Sequence, residues 1–599
     1  MVPVRARWLL AILIAGSMVA AGVRPAGALP LNDDGTINVS LRAYVNVRIG
    51  TNTKQSTRQS CVGAECEQGL SSPPSSFGGT FVASGAGHIM QNRYFMDVEW
   101  DHDILPMFED ILPKWVTSLE YTLNYRGEYE GIYDFGASEF THADETLLEL
   151  QTFLRQSPTF QPGQLSQLGD MSFFVRHRLR QVASFRNRLF QAFLDVEMDD
   201  LFLRMGRQNL VWGETDVFRL LDNINPIDNS FGGFFIDLDE RRVPLNMLRA
   251  SYYLGSFGGV IDQAFIEGYV TYDNTVAFIP GAPYGSPWSI PLGPLTGRTL
   301  QQLIAPRTGD VRGGGRAVFN VGDFTFTLAS YFTTLDIQAA RFRAANDSDA
   351  AYQPNGVSVI TAESTAPRVW INGAAMTTAL PDLQAILRSE IAWFRDEALF
   401  RGPGPAAFKR QGASPLDPGY VGGFLGPVLA GTLDTLARKD TLNYVVGWDM
   451  NQFIRALNPA QSFLFSTQFF YRHIFNFERC GELDSNGLPK PCMSVPVPQP
   501  NNSTRTVQIN EDQFLQTLLI NTTYNVTIPF TRSTVQATPG FGMFYDWQGM
   551  FVFQPSVRFL RDPWRLIVDY TSVNSGVFKP ILGLVRDRDN VRFQLEYVL

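Results

Sequence analysis

The sequence is poor in charge, histidine and cysteine, and it lacks a series of long apolar segments. Only 18% of its 599 residues are charged, and it has 5 His and 4 Cys. This charge is too low for long Lys/Glu-rich helices, while 46 Phe and 20 Tyr are too many for a disordered chain. A helical membrane protein needs several apolar runs of about 18 residues, and only the N-terminus approaches one. These absences favour a membrane protein built from strands, in which apolar residues occupy alternate positions.

Residues 1–28 have the features of a secretory signal peptide. Arg5 and Arg7 precede a short apolar stretch, and Ala26-Gly27-Ala28 supplies the small residues of a cleavage site. A retained membrane anchor is the less favoured alternative, because the apolar stretch is short and the cleavage pattern follows it. With no linker visible afterwards, we expect 29–599 to form one domain. Removal of the three arginines in the signal peptide takes the net charge from −9 to −12, which argues against nucleic acid as a partner.

The four cysteines form two local pairs in polar loops. Cys61 and Cys66 are five residues apart, and Cys480 and Cys492 are twelve apart. This spacing predicts two disulfides formed in an oxidising periplasm. Metal binding is the rival interpretation, but neither pair has the C-x-x-C spacing and only His473 lies near either. We therefore expect neither a metal ion nor another cofactor.

Long stretches of the mature chain alternate between apolar and polar residues. Between 37 and 49, valine, leucine, isoleucine and alanine alternate with asparagine, serine, tyrosine and arginine, and 590–599 repeats the design. Phe190, Ala192 and Leu194 belong to the apolar row of a third such stretch. Successive side chains of a strand point to opposite faces, and strands of about 10 residues or more match a tilted membrane crossing. Strands of a soluble sandwich are usually shorter.

The connections between these stretches are alternately short and long. Asp199-Asp200, Gly322-Asp323 and Arg561-Asp562-Pro563 contain the residue types that close tight turns. The long connections span about 51–91, 129–186, 207–242, 272–314, 336–366, 396–440 and 473–511. Short turns at one rim and long extracellular loops at the other are typical of outer-membrane barrels. The sequence therefore predicts an all-β, transmembrane, antiparallel β-barrel of about 18 strands, with 16 or 20 left open.

The polar row of each strand is expected to face a wet lumen, and the apolar row to face lipid. The predicted lumen side chains are Arg42, Arg48, Asp97, Glu99, Glu120, Arg126, Asp195, Glu197, Arg388, Glu390, Asp449, Gln468, Arg592 and Glu596.

The stretch 204–242 is interpreted as a strand followed by a loop that folds into the barrel and narrows it. Its mixed charges would set up a transverse field and a size limit, as charged rings do in pores. The alternative is that these charges only pair with one another and rigidify the barrel. The predicted constriction residues are Arg204, Arg207, Gln208, Trp212, Glu214, Asp216, Arg219, Asp222, Asn225, Asp228, Arg241 and Arg242.

Several motifs carry a resemblance to a known family. The most specific is the G-R-Q-x-x-x-W-G-E run at 206–214 followed by N-P-I-D at 225–228, and D-P-W-R at 562–565 is another. The mature chain is similar to large proteobacterial outer-membrane barrels catalogued as a domain of unknown function. The resemblance implies a barrel that handles hydrophobic or aromatic compounds. It also implies possible partners, since the genes often lie beside a resistance-nodulation-division type transporter and a second exported protein.

Signatures of catalysis are sparse. The sequence has no H-E-x-x-H and no G-x-S-x-G motif. Gly313-Gly314-Gly315-Arg316 lacks the Lys-Ser/Thr of a phosphate-binding loop and is interpreted as a turn leading into a strand. His102, between Asp101 and Asp103, is the one position that a barrel hydrolase could use, and a barrel adhesin is a further alternative. We do not expect an enzyme.

The function predicted from the sequence is a passive channel in the outer membrane of a Gram-negative bacterium. Its solute would be small and hydrophobic or amphipathic, and its surroundings would be outer-membrane lipid. The alternative is a partner-dependent component of an envelope system that exports lipids or hydrophobic compounds. It would act with a periplasmic protein and an inner-membrane transporter of the resistance-nodulation-division type.

Overall fold

A computed structural model describes most of the predicted mature chain. The described residues are 29–51, 86–136, 141, 184–215, 218–232, 235–273, 275, 299–304, 311–335, 339–344, 360–365, 367–400, 436–483, 485, 487, 490, 492–498, 504–527, 533–547, 549–575 and 588–599. The predicted signal peptide, the predicted Cys61–Cys66 disulfide and Asp216 lie outside these ranges.

Eighteen long strands form the barrel and are numbered here in chain order. They are β1 Ile37–Gly50, β2 Ile89–Asp103, β3 Val116–Glu130, β4 Phe185–Met198, β5 Leu201–Gln208, β6 Leu245–Phe257, β7 Ile261–Thr271, β8 Arg312–Val321, β9 Phe324–Thr334, β10 Arg368–Leu380, β11 Ala385–Phe400, β12 Leu436–Gln452, β13 Phe463–Ile474, β14 Asp512–Asn521, β15 Thr534–Asp546, β16 Met550–Arg561, β17 Trp564–Ser575 and β18 Asn590–Val598.

Each strand pairs antiparallel with its neighbours in the chain, and the last strand returns to the first. Between β1 and β18 the register runs from Arg42 opposite Val598 to Gly50 opposite Asn590. This pairing closes the sheet, so the barrel presents no free edge to other chains. The predicted fold class and the count of 18 strands are confirmed.

Short strands and short helices lie outside the 18 barrel strands. They are the strands Leu29–Pro30, Thr299–Ile304, Ala339–Ala344, Ile360–Thr365, Ser494–Pro498, Thr504–Gln508 and Tyr524–Thr527, the helices Leu105–Phe108, Ile132–Phe135 and Leu238–Arg241, and the 3-10 turn Pro381–Leu383. In the described ranges, no helix has the length and apolar character needed to cross a membrane.

Short turns collect at one rim and long connections at the other. The turns at 199–200, 322–323 and 562–563 join consecutive strands at the first rim, as predicted. Most connections at the second rim exceed twelve residues, but β15 and β16 are joined there by 547–549 alone. Cys480 and Cys492 lie in the connection that follows β13 and form the second predicted disulfide, with their Cα atoms 4.9 Å apart.

The two faces of the wall differ as the alternation predicts. In β1 the side chains of Tyr44, Asn46 and Arg48 are at most 4% exposed, whereas Val45 between them is 38% exposed. Outward aromatic side chains gather near both rims. Phe332 stacks on Trp370 at one rim (4.8 Å), and at the opposite rim Phe324 stacks on Phe326 while Trp564 meets Tyr597 edge-on. An apolar band between two aromatic girdles is the surface that a bilayer requires.

Two local predictions are wrong. Phe190 belongs to the apolar row of its strand but faces inward, because β4 contains an extra residue where the register shifts opposite Asn124 and Tyr125. The extra residue of a bulge reverses the facing of all residues beyond it. Gly313–Gly315 lie inside β8 rather than in a turn. A Cβ on Gly314 would lie 2.2 Å from the Ser330 carbonyl oxygen, so this position accepts only glycine.

An arginine on the lipid face is expected to destabilise the barrel according to its depth. Val45→Arg places the charge near the middle of β1 and should cost about 2–4 kcal/mol, whereas Leu31→Arg, before the strand, should cost less than about 1 kcal/mol. Urea unfolding in phospholipid vesicles measures both. Equal losses would show that this face does not contact hydrocarbon.

Candidate functional site

The connection between β5 and β6, residues 209–244, folds into the barrel and is called the inner loop. All of 220–232 is buried, without a single exposed residue. A loop that only bordered an open passage would leave one side in contact with water. Its segment 220–232 is instead packed like a protein core, whereas Val211, Glu214 and Asp237 of the inner loop are exposed.

Asn225 holds the two ends of the inner loop together. Its side-chain oxygen accepts a hydrogen bond from the Leu210 N–H (2.8 Å). Its amide nitrogen donates to the carbonyl oxygens of Gln208 (3.3 Å) and Val243 (3.0 Å). The side chain thus joins the point where the chain leaves β5 to the point where it enters β6, and Asn225 is fully buried. The asparagine of the N-P-I-D run therefore joins the two ends of the inner loop through its side-chain hydrogen bonds.

One side of the inner loop is apolar and packs against β7, β9 and β10. Trp212 meets Tyr269 and Tyr331 edge-on, with ring centroids 5.4 Å apart in both cases. Leu221 approaches Gly373 so closely that a Cβ there would lie 2.6 Å from its Cδ2 atom. Aromatic pairs in this arrangement stabilise a core beyond the area they bury.

Polar groups of the wall satisfy the backbone of this apolar side. The Trp212 indole N–H donates to Glu267 (2.6 Å). The Tyr331 hydroxyl donates to the Leu221 carbonyl oxygen (2.9 Å), and Thr333 donates to that of Asn223 (2.9 Å). Unpaired polar groups are costly inside a protein, and these bonds let an irregular segment lie inside the barrel.

The far end of the inner loop reaches the opposite wall. Phe218 contacts Phe470 of β13 and Phe544 of β15, at centroid distances of 5.4 and 5.1 Å. Phe235 packs with Val552 of β16 and Val573 of β17. The inner loop therefore spans the lumen instead of following one wall.

The other side of the inner loop is ionic and contacts β1, β2 and β3. Glu240 forms ion pairs with Arg42 and Arg93, both at 2.9 Å, and accepts a hydrogen bond from the Tyr44 hydroxyl (2.6 Å). Arg93 in turn pairs with Glu128 of β3 (2.7 Å). Each buried charge thus has a partner of opposite sign, as burial requires.

A second tie continues this network onto β4. Arg186 pairs with Asp228 of the inner loop and with Glu128 of the wall. Its guanidinium also lies 4.4 Å from the centre of the Phe231 ring. Arg48 of β1 donates to the Phe235 carbonyl oxygen (2.8 Å). Wall arginines therefore bind both the carboxylates and the carbonyl oxygens of the inner loop.

The charged wall shifts the pKa of the inner-loop acids. Burial alone would raise the pKa of Glu240, but Arg93 and Arg42 outweigh it and hold that pKa below its ordinary value. The pKa of Asp228 is lowered in the same way, against burial, by Arg186. The pKa of Asp222 is raised, because burial outweighs its pairing with Arg219 and Arg242.

The predicted constriction residues do not all lie together. Arg204 pairs with Asp195 in the wall (2.7 Å), and Arg207, still within β5, donates to the Phe190 carbonyl oxygen (3.0 Å). The other predicted constriction residues contact either the inner loop itself or the strands β5, β6 and β11. Their contacts are Gln208 with Met247, the Glu214 backbone with Arg388 and Glu390, Arg219 with Asn225, Arg241 with Asn229, and Arg242 with Asp222 and Asp239.

The predicted lumen residues line the inner wall and mostly pair across neighbouring strands. The pairs are Arg42 with Glu596, Asp97 with Arg126, Arg388 with Asp449 and Arg592 with Asp569. Glu99 accepts from Asn124, Glu120 lies opposite Asp195 in the register, and Gln468 is buried. Glu197 differs, since it is exposed at the short-turn end of β4.

Sequence reasoning missed five wall residues that bind the inner loop or its contacts: Arg93, Glu128, Arg186, Glu267 and Tyr331. All five lie on strands, and alternation places Arg93 correctly on the inner face. Nothing in the local pattern distinguishes a side chain that meets the inner loop from one that meets water, because its partner can lie far away in sequence, as Glu240 lies 147 positions from Arg93.

The position considered for hydrolysis is arranged differently from a catalytic site. His102 lies within 3.0 Å of the Tyr121 hydroxyl, and the two rings meet edge-on. Asp101 accepts from Thr122, and Asp103 accepts from the Leu105 N–H. The two aspartates thus bond elsewhere and do not orient the imidazole.

Removal of the Asn225 side chain is expected to loosen the whole inner loop. Asn225→Ala leaves one N–H and two carbonyl groups without a partner, at about 1–3 kcal/mol for each buried group. Amide exchange of peptides from 209–232 should become at least about tenfold faster. Asn229→Ala is the matched control, because among the described residues the Asn229 side chain binds only Arg241. Equal acceleration in the two variants would contradict the role of Asn225.

The ionic side is expected to make stability depend on pH. The folded-state pKa of Glu240 lies below the unfolded one, so its stabilisation is complete above about pH 5 and is lost as pH falls through the folded value. Glu240→Gln should lose about 3–5 kcal/mol at pH 7 and change less on acidification. Asp239→Asn, whose side chain is 89% exposed, should change stability by less than about 1 kcal/mol. Unfolding by urea from pH 7 to pH 3 measures this, and identical profiles for the two variants would contradict it.

Similarity to known proteins is wide in coverage and low in identity. No curated protein matches the chain. Among solved structures, Salmonella typhi OmpF in complex with daunomycin is 10% identical, with a TM-score of 0.35, over 95% of this chain and 100% of that one. Acinetobacter baumannii OccAB3 is 8% identical, with a TM-score of 0.38, over 94% and 98%. Pseudomonas putida OprB is 9% identical, with a TM-score of 0.36, over 94% and 95%.

The family comparison is more specific. The model of the family described as "Protein of unknown function (DUF1302)" matches residues 9–599, which is nearly the whole chain. The match includes every motif on which the resemblance was based. The resemblance is confirmed, and this chain belongs to the DUF1302 family.

Proposed function

We propose that this protein is an outer-membrane channel for small hydrophobic or amphipathic compounds, and that the inner loop is a plug that must shift before a solute can pass. The closed 18-strand barrel supports the channel part of the proposal. The uninterrupted burial of 220–232 supports the plug. This burial is the observation on which the proposal depends.

The composition of the inner loop supports an amphipathic solute. Its apolar side, around Trp212 and Leu221, meets the tyrosines of β7 and β9, while its ionic side meets the arginines of β1 to β4. A solute with an aromatic part and a polar part could replace contacts of both kinds as the loop moves. Polar sugars could replace only the ionic contacts.

The wall contacts also suggest how the plug opens. The apolar side is held by packing and by hydrogen bonds, some of them to Glu267, Arg388 and Glu390, whereas the ionic side is held by buried ion pairs. Breaking a buried ion pair by removing one partner costs about 3–5 kcal/mol. We therefore propose that the ionic side stays attached and that the segment from Trp212 to Leu221 moves first.

A second candidate function follows from the number of contacts between the inner loop and the barrel wall. A plug held on both sides of the lumen favours opening by a partner protein over opening by solute alone. We propose as the alternative a component of an envelope export system for hydrophobic compounds. It would act with a periplasmic protein and an inner-membrane transporter of the resistance-nodulation-division type. Co-purification of such proteins with the barrel would support this alternative.

Efflux from vesicles tests the channel proposal. Vesicles holding the pure full-length protein are loaded with a small aromatic amphipathic dye or with a sugar of similar size. Trp212→Ala removes the contacts with Tyr269 and Glu267 and should speed dye efflux several-fold over the wild type. Trp393→Ala, whose side chain is 50% exposed on the lipid face, is the matched control.

Two outcomes would contradict the channel proposal. Dye and sugar leaving at equal rates would exclude selection for amphipathic solutes. Dye efflux that stays at the rate of empty vesicles in the wild type and in Trp212→Ala, with both proteins folded, would favour the partner-dependent alternative.

A further inference from the structure

The outer wall of β7 to β10 carries a groove that the channel proposal does not use. Strand alternation places most of its lining on the lipid side, and Ile266 and Leu328 there are 48% and 51% exposed. Gly268, Gly315 and Ala317 form its floor, because their small size leaves a depression of about 700 Å³. On a surface that must face hydrocarbon, such a depression fits an elongated apolar chain.

Polar side chains stand at the end of this groove toward the long-loop rim. The Trp370 indole N–H donates to the Ser330 hydroxyl oxygen (3.0 Å), and that hydroxyl donates to the Asn372 side-chain oxygen (2.8 Å). Within the described part of the chain, the Asn372 amide N–H groups meet no acceptor. A donor that faces a bilayer without a partner is unfavourable, so an acceptor from outside the chain is expected here.

A cation lies above these polar groups. Arg395 is opposite Trp370 in the register of β10 and β11, and its guanidinium lies 5.6 Å from the centre of the Trp370 ring. No acidic side chain pairs with Arg395 among the described residues, whereas the nearby Asp396 faces Arg438 (3.9 Å). Arg395 is therefore a positive charge at the outer aromatic girdle that is open to an anion.

The cation, the amide donor and the apolar groove lie at successively greater depths below the long-loop rim. The guanidinium lies at the rim, the free amide donor lies two residues deeper, or about 7 Å along the strand, and the apolar groove continues below. An acylated, phosphorylated lipid presents the complementary groups in the same order, as phosphate, acyl carbonyl and hydrocarbon chain. Basic groups at a membrane interface bind such headgroups by charge.

We propose that this groove binds one phosphorylated, acylated glycolipid of the outer leaflet, with its phosphate on Arg395, an acyl carbonyl on Asn372 and a chain in the groove. The long-loop rim faces the cell exterior in barrels of this class, where glycolipid forms the leaflet. Arg395, Asn372 and Leu328, which carry the proposed contacts, lie on the face of the wall opposite to the inner loop.

Native mass spectrometry of the full-length protein in non-ionic detergent tests the site. The probe is purified bisphosphorylated lipid A, with phosphatidylglycerol and phosphatidylcholine as competitors. One lipid A molecule should bind. Arg395→Ala should lower its affinity about tenfold, because one charge-assisted contact is lost. Arg455→Ala is the matched control, because Arg455 also stacks on an aromatic ring (Phe453, 5.9 Å) but belongs to the opposite rim. Ala317→Phe, which fills the groove without changing a charge, should also weaken binding.

Other outcomes would overturn the proposal. Unchanged binding in both Arg395→Ala and Ala317→Phe would place the lipid elsewhere. Displacement by equimolar phosphatidylglycerol would show an unspecific anionic site. A lipid-free dimer that Ala317→Phe abolishes would identify the groove as a contact between two copies of the chain.

Discussion

The structure depends on one electrostatic constraint, which is that charges enclosed by the barrel must be paired. Glu240 lies between Arg42 and Arg93, and Asp228 meets Arg186, so the carboxylates of the inner loop pair with arginines of β1, β2 and β4. The same arginines also pair with acids of the wall, Arg42 with Glu596 and both Arg93 and Arg186 with Glu128. The inner loop and the wall therefore form one ion-pair network, in which removal of a single buried partner leaves a charge uncompensated.

Apolar packing holds the side of the inner loop that the ion pairs do not hold. The ionic contacts fix one side of the inner loop to β1 to β4, and the contacts of Trp212, Leu221 and Phe218 fix the other to strands across the lumen. The wall is shaped for this, since Gly373 gives Leu221 the room that a side chain would occupy. In the proposed account, a barrel wide enough for an aqueous channel is filled at this level by its own connection, as larger barrels are by plugs.

Periodicity predicts the barrel well because facing is a local property of a strand. The polar row of β1, the strand count and the rim turns all follow from neighbouring residues. The partners of those residues do not, because Tyr44 and Glu240 meet only after the barrel has closed. The bulge at Phe190 shows the same limit, since an extra residue becomes visible only in the pairing with β3. An inward fold of the segment after β5 was predicted from its sequence, and in the structure Asp222, Asp228 and Arg242 of that segment are paired.

The central claim is that the inner loop closes the lumen at rest. Single-channel recording of the pure full-length protein in a planar bilayer at neutral pH tests this claim most directly. We predict that the wild type shows no steady open state, and that a variant with 212–241 replaced by a short Gly/Ser linker conducts in large, stable steps. Steady large conductance of the wild type, unchanged in the linker variant, would contradict the account.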